Sequence, residues 1–433
     1  MPTLKTHTLG CKVNQYETEY LRGVLLSLGY TDAAENEPGD CVIVNTCTVT
    51  AQSDFKSRKI IRRLARENPD AELIVMGCYA TRKPHEIQSL LDPDIPLEII
   101  GDKRAIPEFL RRRGLAEPPG GISFFNERHR AYVKVQDGCR ASCAYCVIPQ
   151  VRPYLLSRPA EEVLEEIRTL AKNGYAEIVL TGIHLGHYGI DRTPRSNLAE
   201  LLGQIVALIH QESLAIRIRV SSLEAAEVSD ELIRVFRDHP SMICPHFHLS
   251  MQSGSDEVLR NMRRRWLSGP FLKKCERIQS ELGNVALTTD VIVGFPGETD
   301  AQFQETCDLV RRIGFSKVHV FRFSGREGTT AVTLPGQIPA GVKKSRAAEL
   351  QRLADKLRND YAKSLLATTV QVLLETEENS GELSGTADRY LTVTVSAPAE
   401  MLGKLVHVCL EESHGEELKG RLPVTGGKVG VEY

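Results

Sequence analysis

Cys139, Cys143 and Cys146 stand in the run Asp137-Gly138-Cys139-Arg140-Ala141-Ser142-Cys143-Ala144-Tyr145-Cys146, spaced C-x3-C-x2-C. Three thiolates can hold three irons of a four-iron, four-sulfur cluster and leave the fourth iron without a protein ligand. An iron with an open position can bind a substrate, as an open zinc site does. A zinc site or three inert buried thiols are the alternatives. Zinc would want a fourth ligand nearby, and no His lies between Arg130 and Tyr154. The apolar, β-prone run Ala131 to Gln136 comes just before, so the cysteines occupy a loop at the end of a strand.

A second set emerges from the elements upstream. A β-prone run from Leu4 to Leu9 ends at Gly10-Cys11, and a helix follows with Asn14 as its expected N-cap. Leu21, Val24, Leu25 and Leu28 share one face of that helix, and Gly29 is placed to end it. The apolar run Cys41 to Val44 leads into Asn45-Thr46-Cys47. The next helix, about Ala51 to Glu67, buries Ile60, Ile61 and Leu64. A third strand, Leu73 to Met76, leads into Gly77-Cys78, and Leu97 to Ile100 reads as a fourth. Apolar strands alternating with helices predict a doubly wound parallel sheet. Ligands bind at the carboxyl ends of such strands. Cys11, Cys47 and Cys78 each follow a strand, so three thiols far apart in sequence should meet on one rim. Cys41 begins its strand and is excluded.

Glu117-Pro118-Pro119-Gly120-Gly121 breaks the pattern and bounds a first domain, 1–116. Beyond it, strands are expected at Ala131–Gln136, Glu177–Thr181, Ile216–Val220, His246–Ser250, Ala286–Val293 and Lys317–Phe323. Helices such as Ala160–Asn173 and Ala301–Ile313 lie between them. Six units are too few for a complete eight-stranded barrel. They predict an open (β/α)6 barrel over 122–352, with a gap that could admit a macromolecule. After a basic helix, Arg352–Leu366, the period becomes two. Val370–Leu374, Leu391–Val395 and Val406–Leu410 predict a small OB-like β-barrel over 366–433, a shape that binds RNA or acts as a structural lid.

With 42% apolar and 25% charged residues, the 433-residue chain reads as a globular protein. No apolar stretch reaches transmembrane length and no signal-peptide h-region opens the chain, so no membrane partner and a cytoplasmic location are expected. Eleven cysteines, an odd number, argue against a disulfide framework. The net charge of −2 is silent about nucleic acid, and the basic clusters Lys56–Arg66, Arg111–Arg113 and Arg263–Arg265 read as solvated helix faces.

Taken together, the motifs resemble those of the methylthiotransferases, two-cluster radical S-adenosylmethionine (SAM) enzymes. Besides the C-x3-C-x2-C loop, they are the runs Gly10 to Glu19, Asn45 to Thr50, Gly77 to Ala80, Thr181 to His184, Gln252 to Ser255 and Thr289 to Glu298. The terminal barrel resembles the RNA-binding TRAM domain. Lys12-Val13-Asn14-Gln15-Tyr16-Glu17 and Thr181-Gly182-Ile183-His184 resemble the branch acting on threonylcarbamoyladenosine in tRNA. The isopentenyladenosine branch reads Gln-Met-Asn after its first cysteine, and the ribosomal-protein branch Pro-Lys-Asn.

The resemblance implies two [4Fe-4S] clusters. One, on Cys139, Cys143 and Cys146, would bind SAM and cleave it to a radical that takes hydrogen from carbon 2 of the adenine ring. The other, on Cys11, Cys47 and Cys78, would carry the incoming sulfur, and a second SAM would supply the methyl group. It further implies a tRNA substrate, an electron donor of flavodoxin or ferredoxin type and a sulfur source. Thr181, Gly182, Ser221, Gln252 and the loop Gly294, Phe295, Pro296, Gly297 and Glu298 would line the SAM pocket. Arg152, Arg158 and His184 would serve the substrate. The stretch Gln150 to Leu156 departs from the family pattern around Arg152, and His187 replaces a small residue beside Gly186. A non-catalytic iron–sulfur carrier is the reading from another class, but a carrier gains nothing from open irons.

Overall fold

The computed structural model describes residues 1–433 apart from Ala116, Pro118, Asn126, Glu127, Ser380, Glu416, Gly426, Gly427 and 430–433, and gives backbone alone for 424, 425, 428 and 429. The ends of the expected domains at Ala116 and Tyr433, and Pro118 in the expected break, lie outside the described residues.

The N-terminal sheet is all parallel. Its strands, Thr3–Thr8, Thr31–Asp32, Cys41–Thr46, Glu72–Gly77 and Leu97–Ile100, stand in the order 2-1-3-4-5. That order reverses direction between Thr3–Thr8 and Cys41–Thr46, and a ligand is expected at the carboxyl end of such a switch point. Cys41–Thr46 is buried along its whole length because helices cover both faces. The helix Lys12–Ser27 is capped by Cys11, not Asn14. Asn14 lies buried in its first turn, where Nδ2 donates to the carbonyls of Leu9 (2.8 Å) and Thr46 (3.0 Å). An amide with two donors satisfies two strand-end carbonyls there, which ties the cysteine-bearing ends together.

Six parallel strands follow in chain order: Arg130–Asp137, Glu177–Gly182, Arg217–Val220, His246–Leu249, Ala286–Val293 and Lys317–Arg322. The third meets the fourth through the Ile218–Ile243 bridge and through Ser222–Leu223, which pairs with His248 and Leu249. Among the described residues the first and sixth strands do not pair, so the barrel is open.

The terminal strands Thr369–Asn379, Glu382–Ala387, Thr392–Ser396, Leu405–His414 and Glu417–Arg421 close into a barrel. Glu382–Ala387 and Glu417–Arg421 escaped the sequence reading because each buries one leucine, Leu383 or Leu418, beside a glycine and polar residues. The helix before the barrel starts at Ala340, not Arg352, and runs to Ser364. Its charged first half carries no apolar stripe to announce it.

The terminal barrel also plugs the amino end of the central one. Arg217 Nη1 donates to Gln371 O (2.6 Å), and Arg219 donates to the carbonyls of Asp388 and Ala387 (both 2.9 Å). Both guanidinium groups share the buried carboxylate of Glu177. In the barrel, Lys419 and Arg421 pair with Glu382 (3.7 Å) and Glu411 (2.5 Å). No described helix is long and apolar enough to cross a membrane.

Candidate functional site

Cys11, Cys47 and Cys78 line one cavity of about 420 Å³ with Gly10, Asn14, Ser53 and Lys56, and Ile148 and Ile183 of the central barrel form its far wall. Gly10 takes φ +108°, and a Cβ there would come within 2.9 Å of Asn14 Nδ2 and 3.3 Å of Cys47 Sγ. Only glycine turns the chain this tightly onto the rim.

Cys139, Cys143 and Cys146 line a second cavity of about 200 Å³ with Ile148, Ile183, His184, Ser222, Glu224, Ser250, Gln252 and Arg264. Its loop is fixed from several sides. Gln136 Nε2 donates to the carbonyls of Asp137 (2.7 Å) and Gly138 (2.8 Å), and Cys139 N donates to Arg152 O (3.0 Å). Ala144 N donates to Met262 O (2.9 Å) and its carbonyl accepts from Ala331 N (2.7 Å). At Gly138, φ +80°, a Cβ would stand 1.8 Å from Tyr154 O.

The two cavities share Ile148 and Ile183 as walls and so adjoin. Between the cysteine sets lies a buried charge network. Arg152 is 4% exposed. Its Nη1 donates to Glu17 Oε1 (3.0 Å) and Asp137 Oδ1 (2.7 Å), its Nη2 to Asn14 Oδ1 (2.9 Å), and its Nε faces Cys78 Sγ at 3.5 Å. Lys134 and Lys103 also bind Glu17 (3.1 and 2.5 Å). Burial alone would raise the Glu17 carboxyl, but Arg152 and Lys134 hold it below its ordinary range. Asp137 is pushed up to about 6 by burial, against the opposing pull of Lys134.

Arg152 therefore joins the domains, and its guanidinium is spent on protein groups, not held out to a substrate as expected. Arg158 is likewise engaged, by Glu166 Oε2 (2.5 Å), Tyr16 Oη (3.1 Å) and the carbonyls of Lys134 and Gly120. It lies outside both cysteine cavities. His184 does line the second cavity. Its Nδ1 is 3.2 Å from Cys139 Sγ, its Nε2 is 2.6 Å from Glu227 Oε1, and its ring stacks on His187 at 3.6 Å.

Of the expected SAM-pocket residues, Gln252 lines that cavity. Thr181 and Gly182 precede the wall residues Ile183 and His184, and Ser221 precedes Ser222. The Gly294–Glu298 loop stands behind the cavity. Phe295 is buried against Ala144 of the cysteine loop, Gly297 N donates to Gly336 O (2.9 Å), and Glu298 binds Gly294 N and Arg346 (both 2.7 Å). A five-residue turn with two positive-φ glycines satisfies itself and props the loop from outside.

The sequence reading missed Arg264. Far from being solvated, it binds Glu224 Oε2 (2.6 Å) and Ser250 O (2.9 Å), stacks on Trp266 (4.2 Å) and reaches Cys143 Sγ at 3.5 Å. The Arg111–Arg113 cluster is solvated in part but paired with Glu108, Glu98 and Glu72.

The donor sets suit iron–sulfur clusters. All six cysteines are free, and burial pushes Cys146 up to about 12 and raises Cys47 and Cys78, so coordination is what would make these three thiolates. One arginine N–H faces a sulfur of each set. Beside the second cavity, Ser221 Oγ and Arg264 Nε are buried without a partner, as a polar ligand would require.

Residues 3–96 match the uncharacterized protein family UPF0004, and residues 133–310 match the radical SAM superfamily. The chain is 38% identical to the threonylcarbamoyladenosine tRNA methylthiotransferase MtaB of Bacillus subtilis, covering 94% of this chain and 93% of the relative. With MtaB of Thermotoga maritima the figures are 37%, 90% and 91%. A tRNA-2-methylthio-N(6)-dimethylallyladenosine synthase of Syntrophotalea carbinolica is 32% identical, covering 95% and 97%. Among solved structures, the radical SAM methyltransferase TsrM of Kitasatospora setae shares the fold at a TM-score of 0.54 and 13% identity, covering 93% of this chain and 83% of that one. Identity of this level over nearly the full length, on a fold that carries the radical SAM barrel, shows that the chain is an enzyme of the radical SAM tRNA methylthiotransferase family.

Proposed function

We propose that this enzyme inserts a methylthio group at carbon 2 of N6-threonylcarbamoyladenosine beside the anticodon of tRNA. The observation that carries the reading is the shared wall of the two three-cysteine cavities, Ile148 and Ile183. Two sites that must act in turn on one carbon have to open onto one space. Cys139, Cys143 and Cys146 would hold one [4Fe-4S] cluster and Cys11, Cys47 and Cys78 the other, each with an open iron. Such clusters supply one-electron reduction of SAM and a binding place for sulfur. The residues then do the placing. Arg264 and Arg152 donate toward one sulfur of each set, Gln136 and Gly138 fix the loop, and Phe295 backs it. A base next to the anticodon is unpaired and can be splayed into such a pocket. An electron donor of flavodoxin or ferredoxin type and a sulfur source complete the reaction.

The choice of threonylcarbamoyladenosine over isopentenyladenosine is supported by the 37–38% relatives of that name and by the run from Lys12 to Glu17. Mass spectrometry of tRNA nucleosides from cells with and without the gene tests it. The methylthiolated threonylcarbamoyladenosine should vanish in the deletion strain and return with the gene. Loss of methylthio-isopentenyladenosine instead would move the substrate to the other branch.

The division of labour has its own test. Cys11→Ala, Cys47→Ala or Cys78→Ala should end sulfur insertion while slow SAM cleavage to 5′-deoxyadenosine persists. Loss of SAM cleavage in a folded single variant that still holds four irons would count against two separate roles.

A further inference from the structure

The lumen beneath the Cys139–Cys146 cavity holds a polar layer that the roles above leave unused. Phe247 and Leu249 of the fourth barrel strand pack into the helix-covered core, so His246 and His248 point into the lumen. The deepest layer, Glu177 with Arg217 and Arg219, is sealed by the terminal barrel. Above it, His246 Nε2 and His248 Nδ1 both lie 3.0 Å from Thr288 Oγ1. Next come His248 Nε2, 3.3 Å from Asp290 Oδ2 but without an aligned hydrogen bond, and His319, opposite Asp290 in register with its ring 5.7 Å from that of His248. Ser222, opposite His248 in register, lines the cysteine cavity, so this layer is its floor.

The floor is partly open to solvent. The His248 and Asp290 side chains are 12% and 30% exposed, against 0–2% for Glu177, Arg217 and Arg219. Lys12 stands next to Cys11 on the neighbouring rim. Lys12 forms no ion pair among the described residues, and it bears on His246 and His319 together with Arg219 and Lys317 respectively. Three donors and one acceptor in a positive field suit an anion that also carries hydroxyl or N–H groups. The same field disfavours a divalent cation on the His248, Asp290 and His319 ligand atoms, although these lie within 4.8 Å of one another.

We propose that Lys12, His248, Asp290 and His319 form the subsite for the carboxylate-bearing N6 substituent of the target adenosine. Lys12, His248 and His319 donate to the carboxylate, and Asp290 accepts from the hydroxyl or urea N–H. This rests on the threonylcarbamoyladenosine reading above.

The test uses the reconstituted holoenzyme with SAM, dithionite, sulfide and anticodon stem-loop RNAs bearing threonylcarbamoyladenosine, its methyl ester or isopentenyladenosine. The wild type should prefer the acid to the ester by about 10- to 100-fold in kcat/KM, because the ester leaves buried donors unpaired. Lys12→Met and His319→Ala should cut the acid by about that factor and the ester by less than about threefold, and Lys12→Arg should recover most of the loss. Iron content checks folding, and His319→Gln stands in for His319→Ala if the latter loads poorly. Equal losses on acid and ester, or no wild-type preference, overturn the subsite. One equivalent of zinc or manganese held by wild type and lost in His248→Ala also overturns it, by making the floor a metal site. Turnover of isopentenyladenosine RNA alone overturns the substrate reading and the subsite with it.

Discussion

Replacing Cys139, Cys143 and Cys146 together by Ala should lower the iron content of the anaerobically reconstituted enzyme from about eight to about four per chain. The same variant should release no 5′-deoxyadenosine from SAM. The expectation follows from the geometry of two separate cavities, each with three free thiols. The loop is anchored by Gln136, by the Cys139–Arg152 backbone bond and by the Ala144 contacts, none of which needs a thiol. The variant should therefore fold, and the Cys11, Cys47 and Cys78 site should still load. Iron and sulfide assays with product analysis by chromatography check it. Full iron in the triple variant would mean that the second cluster is held elsewhere.

Arg152→Met should be nearly as damaging, though Arg152 is bound to no iron in this assignment. The side chain is the common partner of Glu17, Asp137 and Asn14 and faces Cys78. Removing one member of a buried ionic network leaves the others charged and unpaired, at a cost of about 3–5 kcal/mol. Lys134 and Lys103 remain on Glu17 while Lys134 alone remains on Asp137, so the cost is reduced at both and the larger share falls on Asp137, where burial already raises the carboxyl. The variant should melt at lower temperature and lose iron from the Cys11, Cys47 and Cys78 site first. Arg152→Lys should not rescue it, because an ammonium cannot span four acceptors in one plane. The double variant Arg152→Met with Asp137→Asn should be less unstable than Arg152→Met alone, since it also removes a buried carboxylate left with Lys134 as its one cation. Differential scanning calorimetry and iron analysis decide it. A single variant as stable and as iron-rich as wild type would show that the network is dispensable.

What the sequence alone determined is local or periodic. The C-x3-C-x2-C loop is a spacing within eight residues, and Cys11, Cys47 and Cys78 follow from one rule about where parallel strands end. The six barrel strands announce themselves as short β-prone runs alternating with helices, apolar at least on the face the helices cover. The same logic explains the omissions: Glu382–Ala387 and Glu417–Arg421 bury a single leucine each and look like loops.

What only the tertiary structure decided concerns charged residues. Burying a charge is costly without partners, so nothing in the sequence marks Arg152, Glu17, Lys134 and Arg264 as buried. The partners come from far along the chain: Glu17 lies 135 residues before Arg152, and Cys143 lies 121 before Arg264. No window of sequence contains both members of such a pair. For that reason the sequence points Arg152 to a substrate and Arg264 to solvent. Folding places one between the two cysteine sets and the other against Cys143, where each neutralises charge that the site itself would carry.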